Sequence, residues 1–184
     1  MRTQSMGIST RNMVYTALFA AVLCAVAPFS INIGPVPLSF ATLVIYLAAG
    51  ALGWKYGTLS VLLYVALGAI GLPVFSNFEG GFHKVAGFLG GFIIGFIPCA
   101  LIIGLTVEYF KKKVWSYALG MVIGTIVLYT LGTAWFMLQT GSTLAAALAV
   151  CVVPFLIGDT AKVVVACKAA PQLRKALSRL NAES

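Results

Sequence analysis

Charged side chains are absent from four long stretches of this sequence, residues 12–54, 56–78, 85–107 and 114–158. Only 9% of the residues are charged, whereas a typical soluble domain has about 25%. With 12 basic and 4 acidic side chains the chain has too little charge to cover a water-facing surface. Hydrophobic residues make up 61% of the chain, which excludes intrinsic disorder. The sequence therefore predicts an all-α integral membrane protein and excludes a soluble enzyme or binding module.

Six apolar segments are candidate membrane spans of a single domain, residues 1–184. Their predicted bounds are 12–29, 40–53, 58–71, 84–110, 114–138 and 155–177. The second and third would form only about 21 Å of helix each, whereas a bilayer core is about 30 Å thick. Irregular backbone at membrane depth is tolerated only where it is buried in protein or lines a cavity. We therefore expect the Gly/Pro-rich loops 30–39 and 72–83 to dip into the membrane near a site.

Two segments allow a second interpretation. Residues 25–27 read Ala-Val-Ala, as in a signal-peptidase site, but Pro28 would follow the cut, and we expect 12–29 to be a retained helix. Residues 143–179 could form one helix, but it would be too long for a single span. Because proline is favoured in the first turn of a helix and damaging inside it, we predict a break at Pro154.

The basic residues favour one orientation, because cytoplasmic loops of membrane proteins are enriched in lysine and arginine. With six spans and both termini in the cytoplasm, the outer segments contain only Lys84. The inner segments contain Arg2, Arg11, Lys55, Lys111, Lys112, Lys113, Lys168, Arg174, Lys175 and Arg179. These residues do not form one patch interleaved with aromatic residues, so a nucleic-acid partner is not predicted. Loops 30–39 and 72–83 then share the outer face.

Small residues recur every four positions on three of the predicted spans, which allows helices to approach closely. The repeats are Gly87, Gly91 and Gly95; Gly120 and Gly124; and Ala17, Ala21 and Ala25. We interpret the glycines as packing positions within this chain. The alanines either pack inside the chain or face another membrane protein, and the sequence does not decide between the two.

Asp159 and Lys162 are the ionisable pair that lies inside an apolar segment. They are three residues apart and share one face of a helix. Ionisable residues within a span are expensive and usually functional. One interpretation is an ion pair that only stabilises the fold. The other is a site for a ligand with a carboxylate for Lys162 and N–H donors for Asp159.

Other polar and aromatic residues are weaker candidates. Asn77 lies between Phe75 and Phe78 in the second outer loop, and Tyr129 and Trp135 lie on the fifth segment. An amide among aromatic rings suits a ligand that is apolar with polar edges. His83 is the only histidine, so metal sites built from several histidines are excluded and no metal ligand is predicted.

Three ordered motifs then place the sequence close to a known family. They are GPVPLSFATL at 34–43, LLYVALGAIGLPVFSNFEGGF at 62–82 and VPFLIGDTAKVVVA at 153–166. The chain resembles the BioY family, the biotin-specific substrate-binding (S) components of energy-coupling factor (ECF) transporters. The resemblance implies a six-helix bundle with an outer biotin site closed by the loops after the first and third helices. It also implies a transmembrane coupling protein and two cytoplasmic ATPases as partners.

The resemblance also implies roles for individual residues. Asp159 would accept from the ureido N–H groups of biotin, Asn77 would bind the same ring, and Lys162 would pair with the carboxylate or keep Asp159 ionised. The candidates for apolar walls are Phe75, Trp135 and Phe155. The alanines 17, 21 and 25 would dock the coupling protein. The chain departs from the family at 87–92, without its Pro, Thr and Tyr, and at Ala41, where Gln is usual, so no binding role is predicted there.

We therefore predict a biotin-binding S component in the prokaryotic plasma membrane that performs no chemistry. No Walker loop is present in the sequence, so ATP hydrolysis would come from a partner. One alternative is an S component for another small vitamin. An intramembrane enzyme is a second, but it would need a nucleophile with a base or a metal cluster. A structural assembly protein is a third, and it leaves Asp159 and Lys162 unexplained.

Overall fold

A computed structural model describes residues 10–32, 36–110 and 113–182, and most of them are helical. Arg2, Gly34, Pro35, Lys111 and Lys112 of the sequence analysis lie outside these ranges. The helices are α1 Thr10–Val26, α2 Ala41–Ala69, α3 Phe82–Ala86, α4 Gly90–Tyr109, α5 Val114–Thr140, α6 Leu144–Cys151 and α7 Phe155–Ala182. Two short strands, β1 Ser30–Asn32 and β2 Pro37–Ser39, pair antiparallel between α1 and α2. A 3-10 turn, Ser76–Phe78, lies in the connection between α2 and α3.

The bundle is built around α2. This helix packs against α1, α4 and α7, and α5 packs against α4, α6 and α7. The core between these helices contains fully buried large side chains, among them Leu23, Tyr46, Ile103 and Met121. The end of the connection after α1, around Pro28, lies beside the loop at 70–81 at one end of the bundle, since the Asn77 N–H donates to the Pro28 carbonyl at 2.9 Å.

The predicted segments 40–53 and 58–71 correspond to the two helical arms of α2, which meet at a sharp break at Gly53. Gly53 has φ 84° and ψ −177°, a backbone conformation that favours glycine. The backbone of the next residue, Trp54, packs against Gly104 of α4, where a Cβ would collide with it. The single non-helical residue Gly53 therefore connects the two arms, whereas the sequence analysis predicted a four-residue connection between them.

The prediction of one continuous helix over residues 84–110 was wrong in its first turns. The structure interrupts this segment between α3 and α4. Gly87 is extended, with φ −74° and ψ −176°. Its carbonyl accepts hydrogen bonds from the Gly90 N–H and the Trp135 indole, both at 2.9 Å. These hydrogen bonds satisfy the Gly87 carbonyl at the point where the helix is interrupted. The break predicted at Pro154 agrees with the structure, where α7 begins at Phe155.

Two helices among the described residues, α4 and α5, are long and apolar enough to cross a membrane. The α6–α7 pair is bent by 47° and could form a third, broken span. Helix α1 is apolar but shorter. The count of six spans stays a prediction.

Four of the repeated glycines form the seam between α4 and α5. Gly91 and Gly95 lie against Trp135 and Leu128 of α5. Gly120 and Gly124 lie in turn against the part of α4 around Cys99 and Ile103. Their predicted role as packing positions within the chain is confirmed. Gly87 instead lies in the turn before α4.

Candidate functional site

A cavity of about 390 Å³ lies at the loop end of the bundle. Residues from β2 and from α2, α3, α4, α5, α6 and α7 line it, together with the loop that contains Asn77. Most of the wall is apolar, with the rings of Phe75, Phe92 and Phe155 among its members. Polar groups are few, as is usual in a site for a small organic ligand.

Lys162 is buried in the wall of this cavity, with 8% of its surface exposed. Its Nζ donates to Asp159 Oδ1 at 2.8 Å, to the Ser39 carbonyl at 2.7 Å and to Thr42 Oγ1 at 2.9 Å. An ammonium group has three N–H donors, so these three acceptors use its full capacity. Lys162 therefore ties α7 to the end of β2 and the start of α2.

Asp159 is equally buried, with 5% of its surface exposed. Its Oδ1 accepts from Lys162 and from the Thr42 hydroxyl at 3.3 Å, and its Oδ2 accepts from the Tyr129 hydroxyl at 2.6 Å. A carboxylate offers about four acceptor positions. With one of the described contacts on Oδ2, this oxygen retains capacity for an N–H donor of a ligand in the cavity.

The loop that contains Asn77 is fixed to the loop after α1. Besides the backbone bond to Pro28, Ser30 Oγ donates to Asn77 Oδ1 at 3.0 Å. The rings of Phe29 and Phe78 meet edge-to-face with centroids 5.3 Å apart. Asn77 and Phe78 both have positive φ, 63° and 58°, which is uncommon outside glycine and often marks functional sites.

Phe75 is held in the cavity wall from behind. Its ring packs edge-to-face on Tyr64, with centroids 5.7 Å apart, and fills the space beside Gly68 where a Cβ would collide with it. The Phe75 N–H donates to the Glu79 carbonyl at 2.8 Å, which closes the loop around Asn77.

Five of the six predicted ligand-site residues line the one cavity: Phe75, Asn77, Phe155, Asp159 and Lys162. The sixth, Trp135, is not among its lining residues. Its side chain packs on Gly91, and its indole holds the Gly87 carbonyl in the turn before α4. The structure also brings in Ser39 and Thr42, which the sequence analysis missed. Both lie inside the 34–43 motif, which carries the family resemblance but gives no sign of their contacts with Lys162.

Known proteins resemble this chain along most of its length. The model of the BioY family matches residues 1–179. The chain belongs to the BioY family. The biotin transporter BioY of Thermotoga maritima is 41% identical to it over 166 residues, which are 90% of this chain and 96% of that protein. The probable biotin transporter BioY of Pyrococcus horikoshii is 36% identical over 167 residues, 91% of this chain and 98% of that protein.

The fold of this BioY-family chain also matches a solved structure. The S-component for biotin from an ECF-type ABC transporter superposes with a TM-score of 0.84 and 29% sequence identity. The match covers 90% of this chain and 92% of that one. The predicted family is thereby confirmed, and the chain is an integral membrane protein whose relatives are named as transporters.

Thr42→Val tests how the buried pair is held. The change removes an acceptor from Lys162 and a donor from Asp159, which leaves buried polar groups short of a partner. We expect a loss of about 1–3 kcal/mol in the free energy of unfolding, seen as a lower melting temperature in detergent. Thr42→Ser keeps the hydroxyl and should melt close to the wild type. Equal melting of Thr42→Val and Thr42→Ser would contradict this arrangement.

Proposed function

We propose that this chain is the substrate-specific component of an ECF-type transporter and binds biotin from the outer side of the prokaryotic plasma membrane. The observation that carries the proposal is the cavity with Asp159 in its wall. It combines an apolar wall with the carboxylate of Asp159, whose Oδ2 has acceptor capacity left. The names of the BioY-family relatives and of the S-component for biotin support the same ligand.

The chemistry of biotin matches the polarity of the cavity. Its ureido ring has two N–H donors and one carbonyl, and the rest of the ring system is apolar. Asp159 Oδ2 accepts from a ureido N–H, and the amide of Asn77 donates to or accepts from the same ring. Phe75 and Phe155 pack against the apolar part of the ligand. Trp135 acts indirectly, by holding the turn before α4.

The contacts of Lys162 support the second of its two predicted roles. All three of its N–H donors already have acceptors within the chain. Pairing with a ligand carboxylate would require it to leave one of them. Lys162 therefore serves Asp159 by compensating its charge at 2.8 Å, because an isolated buried charge is costly.

The transport step relies on partners, since the sequence contains no Walker loop and this chain performs no chemistry in our proposal. A transmembrane coupling protein would dock on α1, and two cytoplasmic ATPases would drive delivery. Ala17, Ala21 and Ala25 are exposed along one side of α1, whereas Thr16, Ala20 and Leu23 face the bundle. A face of small side chains allows a second helix to approach closely.

Six spans with both termini in the cytoplasm complete the proposal. The Arg11 guanidinium donates to the Leu180 carbonyl at 2.9 Å, which places the start of α1 next to the end of α7. Glu108, at the end of α4, lies 3.7 Å from Arg174 of α7 beside the break at Gly53. The binding loops lie at the opposite end, because α1 and both arms of α2 separate the two clusters.

Asp159→Asn tests the binding site. The change keeps the shape but removes the charge and the strong acceptor for a ureido N–H. We expect calorimetry in detergent to show biotin binding by the wild type and an affinity at least about tenfold lower for Asp159→Asn. Glu108→Gln, at the far end of the bundle, is the control and should bind as the wild type. A folded Asp159→Asn variant with unchanged affinity would remove α7 from the site.

Ala21→Trp tests the docking face on α1. The indole should prevent close approach of the coupling protein and abolish co-purification with it, while biotin binding by the isolated chain stays within about twofold of the wild type. Ile126→Trp places the same ring on an exposed position of α5 and serves as the control. Loss of biotin binding in Ala21→Trp would assign the alanines to internal packing instead.

A further inference from the structure

The proposed function leaves the carboxylate of biotin without a partner. Lys162 cannot supply one without giving up the Ser39 carbonyl, Thr42 or Asp159. A carboxylate that enters a largely apolar cavity loses water contacts and needs a charged or hydrogen-bonding partner in exchange. The following inference rests on the proposed function and concerns the other end of the same ligand.

The lining of the cavity offers a second cation, Lys84. Among the lining residues that the structure describes, Lys84 and Lys162 are the basic ones. The undescribed loop residues 33–35 are Ile, Gly and Pro, which carry no charge. Lys84 belongs to α3, and 30% of its side chain is exposed. It is therefore partly open to water, whereas Lys162 is enclosed by protein acceptors.

Lys84 forms an ion pair in this structure with Glu79, which also lines the cavity. The Lys84 Nζ lies 2.5 Å from Glu79 Oε2, and 42% of the Glu79 side chain is exposed. Ion pairs this exposed contribute little to folding stability. A ligand carboxylate can therefore take the place of Glu79 on Lys84 without unfolding the loop. Further N–H donors of Lys84 can also bind the ligand directly, since an ammonium has three.

We propose that Lys84 is the residue that recognises the carboxylate of biotin, and that Glu79 competes with the ligand for it. The ligand then lies with its ureido ring at Asp159 and its carboxylate at the partly open side of the cavity. Asn77 and Lys84 come from the same connection between α2 and α4, so a ligand that binds both holds this connection at two points. The positive charge of Lys84 therefore makes the cavity bind the acid in preference to its amide.

Paired titrations with biotin and biotin amide test this role, because the amide lacks the negative charge. We expect Lys84→Met to weaken biotin binding by about tenfold or more, the usual scale for a hydrogen bond to a charged group. Binding of biotin amide should change by less than about threefold on the same scale. Lys84→Arg keeps the charge and should restore most of the biotin affinity. Lys55→Met removes a lysine outside the cavity lining and is the matched control.

Glu79→Gln should change the affinity for biotin in the opposite direction from Lys84→Met. Removing the competing carboxylate should raise the affinity for biotin and leave that for biotin amide unchanged. Equal losses of both ligands in Lys84→Met would overturn the proposal, since they would show that Lys84 only supports the loop. Unchanged biotin affinity in Lys84→Met would overturn it too. A wild type that binds neither ligand would instead contradict the proposed function itself.

Discussion

The buried ion pair of Asp159 and Lys162 is the interaction on which the rest of the site depends. Two charges have been taken out of water, and their burial is tolerated because each is almost fully hydrogen-bonded. Lys162 reaches across to the Ser39 carbonyl and Thr42, so the pair fixes α7 against the junction of β2 and α2. Loss of either partner would leave an uncompensated charge in the protein interior.

Departures from regular helix surround this pair. Strand β2, the turn at Ser76–Phe78 and the interruption before α4 contribute lining residues to the cavity, and the break before α7 lies between the lining residues Cys151 and Phe155. In a membrane such backbone is tolerated only where protein or a cavity satisfies its polar groups. The Gly87 carbonyl illustrates this, because the indole of Trp135 satisfies it. The irregular segments are thus the places where the bundle can take in a polar ligand.

The sequence was sufficient to predict the membrane class, the ionisable pair and a few further residues of the cavity wall. Asp159 and Lys162 were recognisable because two charges three residues apart in an apolar segment share a helix face. Thr42 was not, since a lone hydroxyl in an apolar helix gives no sign of what it contacts. Trp135 was placed on the correct helix, but the side of α5 that faces Gly91 depends on helix packing. The interruption at Gly87 was missed because hydropathy does not register a backbone break between apolar residues.

A crystal structure with biotin bound would show the orientation of the ligand in the cavity. We expect a ureido nitrogen within hydrogen-bond distance of Asp159 Oδ2, with Lys162 still bound to Asp159, Thr42 and the Ser39 carbonyl. The carboxylate should lie at Lys84, away from this pair. A biotin carboxylate bound to Lys162, with the Ser39 carbonyl released, would contradict this orientation and the role of Lys84.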